Sequence, residues 1–315
     1  MALNASALAY DPSKGISYVA TWTSPSVVSA VRTSDGLVLG SVALSHGEDH
    51  VRVLLLDAPR GLLHAATFSA PARLVTVSVA LPAAADSGDA KVELTRTGAV
   101  LLPDDASIVS GFLDDTGFHA YLSSFTTPGV ITRVELGHSG REPRPSGRLV
   151  LSPGEDAPYV SLRDGEHGYF GTHTRNGTSL VRVHLPSLAR IGAQQLPLVS
   201  RLSAGALERT DGAADGNGAG GYALLGTRTS PAQLHRVWLR DQPPPGHDTI
   251  PPPQSLTLPS SYGEVRSLVA LPGLVAAAMS APSGKLALAS LPSLTPIHKL
   301  ARLADGLVPR LAVAA

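Results

Sequence analysis

Apolar and polar residues alternate with a period of two in short runs along nearly the whole chain. Leu180-Val181-Arg182-Val183-His184-Leu185 and Val130-Ile131-Thr132-Arg133-Val134-Glu135-Leu136 show it most clearly. Successive side chains of a strand point to opposite faces, so this pattern, rich in β-branched residues, predicts half-buried strands. Sustained helical periodicity is almost absent. More continuous apolar runs lie at 6–10, 51–56, 108–113, 159–162, 202–207 and 265–271. Turn signals follow the first four, as in Asp11-Pro12-Ser13-Lys14-Gly15, Asp57-Ala58-Pro59-Arg60-Gly61, Asp114-Asp115-Thr116-Gly117 and Asp164-Gly165-Glu166-His167-Gly168. Asp bonds the turn backbone and the closing Gly accepts positive φ, which predicts hairpins. A second strand then carries residues such as Tyr222-Ala223-Leu224-Leu225-Gly226-Thr227, and brief stretches at 37–42, 147–151 and 254–258 complete a four-strand unit.

Between second and third strands a phrase recurs: hydroxyl, variable residue, hydroxyl, then a turn that usually ends in proline. It reads Thr21-Trp22-Thr23-Ser24-Pro25, Thr67-Phe68-Ser69-Ala70-Pro71, Ser124-Phe125-Thr126-Thr127-Pro128, Thr172-His173-Thr174-Arg175-Asn176, Thr227-Arg228-Thr229-Ser230-Pro231 and, most degenerate, Ala278-Met279-Ser280-Ala281-Pro282. A period of about 50 residues marks a repeat array, and four antiparallel strands per unit make a propeller blade. The expected fold is therefore all-β: one β-propeller domain of about six four-stranded blades, or seven if the chain is a fragment. The expected blades are 1–48, 49–105, 106–155, 156–200, 201–260 and 261–306. Residues 307–313 resemble a further first strand, so 307–315 is either a closing strand or an orphan one. Irregular stretches at 82–90, 137–146 and 242–253 fall between third and fourth strands, and a Gly-rich one at 211–221 between first and second.

Composition narrows the function classes. The 315 residues carry a formal net charge of +0, with only 16% charged and 4% aromatic residues, so a nucleic-acid footprint is missing. Positive charge is nearly all arginine, which reads as genomic composition rather than phosphate recognition. There is no cysteine, which excludes disulfides, thiolate metal sites and thiol catalysis. Met1-Ala2-Leu3-Asn4 opens no signal-peptide pattern, and no stretch approaches the ~18 apolar residues of a membrane span. A soluble protein is expected, with a lean toward the cytoplasm unless the chain belongs to a larger surface protein.

In a propeller the second-to-third turns and the connections before first strands share one face. Acidic phrases precede several first strands: Glu48-Asp49, Asp104-Asp105, Glu155-Asp156 and Glu264. A ring of carboxylates at Glu48, Asp49, Glu155, Asp156 and Glu264 could hold Ca²⁺, a hard cation that takes oxygen ligands. Their repetition favours a structural role instead, each accepting backbone amides of a neighbouring blade. The hydroxyl pairs likewise read as ties between adjacent blades. The variable residue between them is aromatic at Trp22, Phe68 and Phe125 but becomes His173 and Arg228. These two depart from the repeat and are the best ligand-facing candidates, Arg228 for an anion and His173 as donor or base. His46-Gly47-Glu48-Asp49-His50 lies in a loop, where its spacing does not converge on zinc. Gly216-Asn217-Gly218-Ala219-Gly220-Gly221 opens no helix and lacks the setting of a dinucleotide site.

Tyr169-Phe170-Gly171-Thr172-His173-Thr174, followed by the strand 180–185, resembles a β-propeller repeat of large, poorly characterised protist and algal proteins. That resemblance covers most of 15–300, implies a propeller, and supplies no catalytic residues. The expected function is a non-enzymatic, WD40-like scaffold that binds a protein or glycan through its top-face loops. The alternative is a propeller hydrolase or lactonase with a carboxylate or Ca²⁺ funnel. No other cofactor is expected. Aliphatic first strands such as 51–56 favour the scaffold.

Overall fold

Period-two patterning resolves into six four-stranded antiparallel sheets, each strand pairing with its sequence neighbours. The computed structural model describes residues 5–81, 91–137, 142–174, 177–196, 201–208, 221–241, 249–271, 273–280 and 285–297. Most of the irregular stretches, Asn176 and the expected strand at 307–313 lie outside these residues. So does the choice between a closing and an orphan strand.

The first three sheets are β1 (Ala5–Asp11), β2 (Ile16–Thr21), β3 (Val27–Arg32), β4 (Val38–Ala43); β5 (Val51–Asp57), β6 (Leu62–Thr67), β7 (Ala72–Ala80), β8 (Glu93–Leu102); and β9 (Ile108–Leu113), β10 (His119–Ser124), β11 (Val130–Glu135), β12 (Arg144–Val150). The last three are β13 (Val160–Asp164), β14 (His167–Thr174), β15 (Gly177–His184), β16 (Ala189–Leu196); β17 (Leu202–Glu208), β18 (Tyr222–Thr227), β19 (Gln233–Trp238), β20 (Gln254–Thr257); and β21 (Val265–Leu271), β22 (Leu274–Met279), β23 (Lys285–Ser290), β24 (Thr295–Ile297). The fold is an all-β propeller of six four-stranded blades. Contacts divide the chain between Ser152 and Pro153 into two compact units of three blades each.

Within each unit, neighbouring sheets pack face to face around their own cores. Tyr18, Leu63 and Val51 fill the space between blades one and two, and Leu74, Ile108 and Leu122 that between blades two and three. In the second unit Leu180, Leu202 and Leu225 pack blades four and five, and Leu224, Val265 and Met279 pack five and six. Each such side chain contributes roughly 1.5–3 kcal/mol when fully buried. Buried alanines at 20, 65, 66, 120, 223, 277 and 278 let sheets poor in aromatics approach closely. Fourth strands are the exposed ones, as in the pattern of β12 and β20.

The turns after first strands follow the expected chemistry. Gly15, Gly61 and Gly117 close them at φ 61°, 62° and 66°, a left-handed region that side chains disfavour. In the fourth blade the turn is shorter than expected. Gly165 takes the positive φ, because β14 already begins at His167 and Gly168 sits in the strand.

Candidate functional site at the turn-bearing ends of the blades

The hydroxyl phrase is a clamp within its own blade. Thr21 Oγ1 meets Thr23 Oγ1 at 2.6 Å, Thr23 Oγ1 donates to the Pro25 carbonyl at 2.7 Å, and the Val27 amide donates to Thr21 Oγ1 at 2.9 Å. The same set recurs at Thr67, Ser69, Pro71 and Arg73, and again at Thr227, Thr229, Pro231 and Gln233. Ser124 and Thr126 repeat the hydroxyl contact. Four of these turns carry a cis proline, at Pro25, Pro71, Pro128 and Pro231. The expectation that these hydroxyls join adjacent blades is thus corrected: the first hydroxyl is buried against its own third strand. In the last blade strand register pairs Val265 with Met279, as Leu202 pairs with Thr227. Met279 therefore occupies the first hydroxyl position and Ser280 the variable one, one step later than the sequence alignment had it.

Blades are joined by atoms that the sequence did not advertise. In β1, β5, β17 and β21 one residue is looped out of register just after the first pair, making a β-bulge at Ser6, Arg52, Ser203 and Arg266. The bulged Ser6 hydroxyl donates to the Val51 carbonyl of the next blade, and Ser203 does the same to Val265 at 2.5 Å. A serine in an apolar first strand was the available signal. The phrase adds backbone ties in the first unit, where the His50 and Ser107 amides donate to the carbonyls of Thr23 and Ser69.

The acidic candidates divide into two groups. Glu48 is wholly buried and lies in a fork made by Arg96 of β8, at 2.8 Å from Nε and 2.5 Å from Nη2, with the Ser45 amide at 2.8 Å. Burial alone would push its carboxyl up, but Arg96, the Ser45 amide and the nearby Arg73 outweigh that and hold it below the usual range. Arg190 of β16 grips Glu155 in the same way, at 3.0 and 2.6 Å. Asp105 accepts from Thr132 at 2.5 Å and faces Arg148 of β12 at 3.5 Å. These carboxylates face guanidinium groups from the outer strand of the blade they introduce. That geometry needs the planar donor pair of arginine. Among the described residues, no cluster of three or more histidine or acidic side chains has a metal-binding arrangement.

The other candidates occupy a partly exposed position that recurs from blade to blade. In the second to sixth blades the variable residue of the phrase donates its amide to the carbonyl of a residue ahead of the same blade's first strand. This couples Phe68 with His50, Phe125 with Ser107, His173 with Asp156, Arg228 with Arg201 and Ser280 with Glu264. His173, Arg228, Asp156 and Glu264 are therefore equivalent in place, whereas Glu48 and Glu155 are not. Asp49 sits nearby and accepts from Ser24 at 2.9 Å.

In the first unit this position is apolar. Trp22 packs on His50 at 4.8 Å and on Phe68 at 5.3 Å, and Phe68 on Phe125 at 6.2 Å, with rings tilted by 37–46°. Arg52 lies 6.0 Å over Trp22, and Phe125 is 46% exposed. In the second unit it is polar. Arg201 Nε donates to His173 Nε2 at 3.0 Å, while Glu264 Oε2 stands 3.3 Å from Arg228 Nε and 2.9 Å from Arg266 Nη2. Burial, and secondarily Arg201, lower the pKa of His173 against the pull of Asp156, so the ring is neutral near pH 7.

No family model matches the chain, and no curated protein matches it in sequence. Solved structures do resemble it in fold. A hydrazine synthase of Kuenenia stuttgartiensis superposes with a TM-score of 0.67 at 10% identity, over 92% of this chain and 78% of that one. The β-propeller domain of Cps50 (Swd1) from Myceliophteria thermophila gives 0.63 at 11% identity, over 97% and 88%. Sqt1 of Chaetomium thermophilum, solved bound to the N-terminus of a ribosomal protein, gives 0.60 at 15%, over 95% and 75%. At these identities the likeness establishes the propeller fold, which serves enzymes and binding proteins alike.

Proposed function

We propose that this protein is a non-catalytic binding propeller that takes a peptide segment of a protein partner at the turn-bearing ends of its blades. The observation that carries this reading is the row Trp22–Phe68–Phe125, partly exposed and edged by Arg52, His50 and Asp49. An apolar, aromatic centre with a polar rim is the anatomy of an interaction surface. Aromatic residues and arginine are also the residues that dominate binding energy at such surfaces. The tilted rings lean on one another and present no flat platform for a sugar, which favours a peptide over a glycan. The arginine forks on Glu48 and Glu155 remove two carboxylates that a Ca²⁺ funnel would need, which weighs against the hydrolase reading. The Sqt1 structure, with a ribosomal protein N-terminus bound, is a precedent in fold only.

The test uses the two tryptophans of the chain. In a Trp238→Phe background, Trp22 is the sole emitter. Peptides selected from a displayed random library on the immobilised protein should shift its emission. They should lose at least tenfold in affinity for Phe125→Ser and Phe68→Ser. Selected peptides that bind both variants unchanged would sink the proposal.

A further inference from the structure

In two blades a cation near the start of the third strand reaches toward the connection ahead of the same blade's first strand. In blade six Lys285 lies opposite Met279, and its Nζ donates to the Ser261 carbonyl at 3.1 Å and stands 4.6 Å over the Tyr262 ring. In blade two Arg73 holds the matching place, its amide donating to Thr67 Oγ1 at 2.8 Å. Its Nη2 comes to 3.7 Å from the point where a Cβ on Gly47 would lie. Gly47 and Ser261 each stand four residues ahead of a first strand, β5 from Val51 and β21 from Val265. Lys285 finds an acceptor at that spot, whereas the half-buried Arg73 guanidinium has none among the described residues. The nearby carboxylates are already engaged. Glu48 takes Arg96 and the Ser45 amide, and Asp49 accepts from Ser24. A guanidinium so placed has lost hydration that nothing replaces. The aromatic row begins beside it. Phe68 follows Thr67, its amide donates to the His50 carbonyl, and the His50 ring packs on Trp22. From Gly47 to His50 the chain spans at most about 11 Å.

We propose that Arg73 is an anion subsite bordering the aromatic row and takes the aspartate or glutamate side chain of a bound peptide. This deepens the peptide-binding reading and rests on it. One guanidinium fork offers the two parallel donors that a single carboxylate accepts side-on. The Arg73 charge already helps to hold Glu48 ionised, so a phosphate dianion would meet more repulsion from Glu48 than a carboxylate does. Gly47, at φ 79°, keeps the approach open, because a Cβ there would rest against the guanidinium. The short path from Gly47 to His50 puts the acidic residue within about four positions of the apolar one that rests on Phe68.

The experiment runs the displayed-library selection on two immobilised proteins, wild type and Arg73→Gln, and sequences both pools. The wild-type pool should be enriched in aspartate and glutamate beside its apolar anchor, and the Arg73→Gln pool should not. Exchanging that acid for its amide in single wild-type peptides should weaken binding to the wild type about fivefold, the measure of one partly exposed ion pair. The amide peptides should bind wild type and Arg73→Gln alike, and Arg73→Lys, which keeps the charge without the fork, should recover part of the preference. An acidic preference that survives Arg73→Gln, or that disappears with Arg52→Gln instead, would overturn the assignment. So would amide peptides that bind Arg73→Gln more weakly than wild type, since Arg73 would then merely support the row. A wild-type pool that depends on Phe68 but lacks acidic enrichment rejects the subsite alone. A pool indifferent to Phe68→Ser and Phe125→Ser rejects the wider reading and the subsite with it.

Discussion

The two units carry the same backbone frame at their turn-bearing ends and opposite chemistry upon it. In the first, Trp22, Phe68 and Phe125 form a row of touching rings; in the second, His173, Arg228 and Ser280 take the equivalent places. Beneath both, the amide-to-carbonyl bond of each described couple persists, and the full hydroxyl clamp recurs in blades one, two and five. The difference teaches where the fold stores its constraints. Buried hydroxyls and forked carboxylates hold the blade, so the residue between two hydroxyls is released from structural duty and varies.

The forks offer the largest break in that comparison. Arg96→Met leaves Glu48, which is wholly buried, without its counter-ion, and stability should fall by about 3–5 kcal/mol. Arg190→Met strands Glu155, which retains some exposure, and should cost less. Chemical denaturation of the two variants checks the order, and equal losses would show that burial of the carboxylate does not set the scale.

Acid should act on the second unit through His235. Burial in blade five lowers its pKa from 6.5 to about 4, with Ser255 as partner of Nδ1 at 2.8 Å and no acceptor or donor for Nε2 among the described residues. The unfolded chain takes up this proton near pH 6.5 and the folded chain only near pH 4. Stability is therefore full above pH 6.5 and declines as pH falls toward 4, by on the order of 3 kcal/mol. His235→Leu should flatten that slope. Trp238 in a Trp22→Phe background reports it from the same blade, and an unchanged slope in the variant would exclude His235 as the source.

Smaller effects are expected at the inter-blade ties. Ser6→Ala and Ser203→Ala each leave a carbonyl of the neighbouring first strand without its donor, at about 1–2 kcal/mol apiece. The exposed couples should matter least for folding. Replacing Arg201 and Arg228 by His and Phe, the couple of blade two, should change stability by no more than about 0.5 kcal/mol. A shift of the denaturation midpoint equivalent to three times that would show that these couples carry structure after all.

Strands, turns and repeat were legible because they are local: a period of two, an Asp–Gly turn or a Thr-x-Thr phrase is written in consecutive residues. Partnerships were not. Glu48 finds Arg96 across 48 residues and Glu155 finds Arg190 across 35, both on outer strands where an arginine looks like any solvated charge. The abundance of arginine over lysine, read as genomic composition, has a structural use at these forks. The phrase itself was over-read, since two hydroxyls on one side of a strand fit equally a neighbouring blade or their own turn. Only register decides, and register also moved the last copy by one residue. Of the candidate residues, those that departed from the repeat (His173, Arg228) came out at the exposed couples, and two that obeyed it (Glu48, Glu155) came out locked inside.

The bulge that sets Ser6 and Ser203 toward the next blade lies at the start of the first strand, beside the position where the couple begins. Three of the blades so treated display a two-residue word on a shared grammar: Phe–His, Arg–Arg, Ser–Glu. A change of word leaves the grammar untouched, so descendants of such a chain can acquire new partners by rewriting one blade at a time. An engineer could spell a chosen recognition surface in the same way, with two substitutions per blade and no redesign of the core.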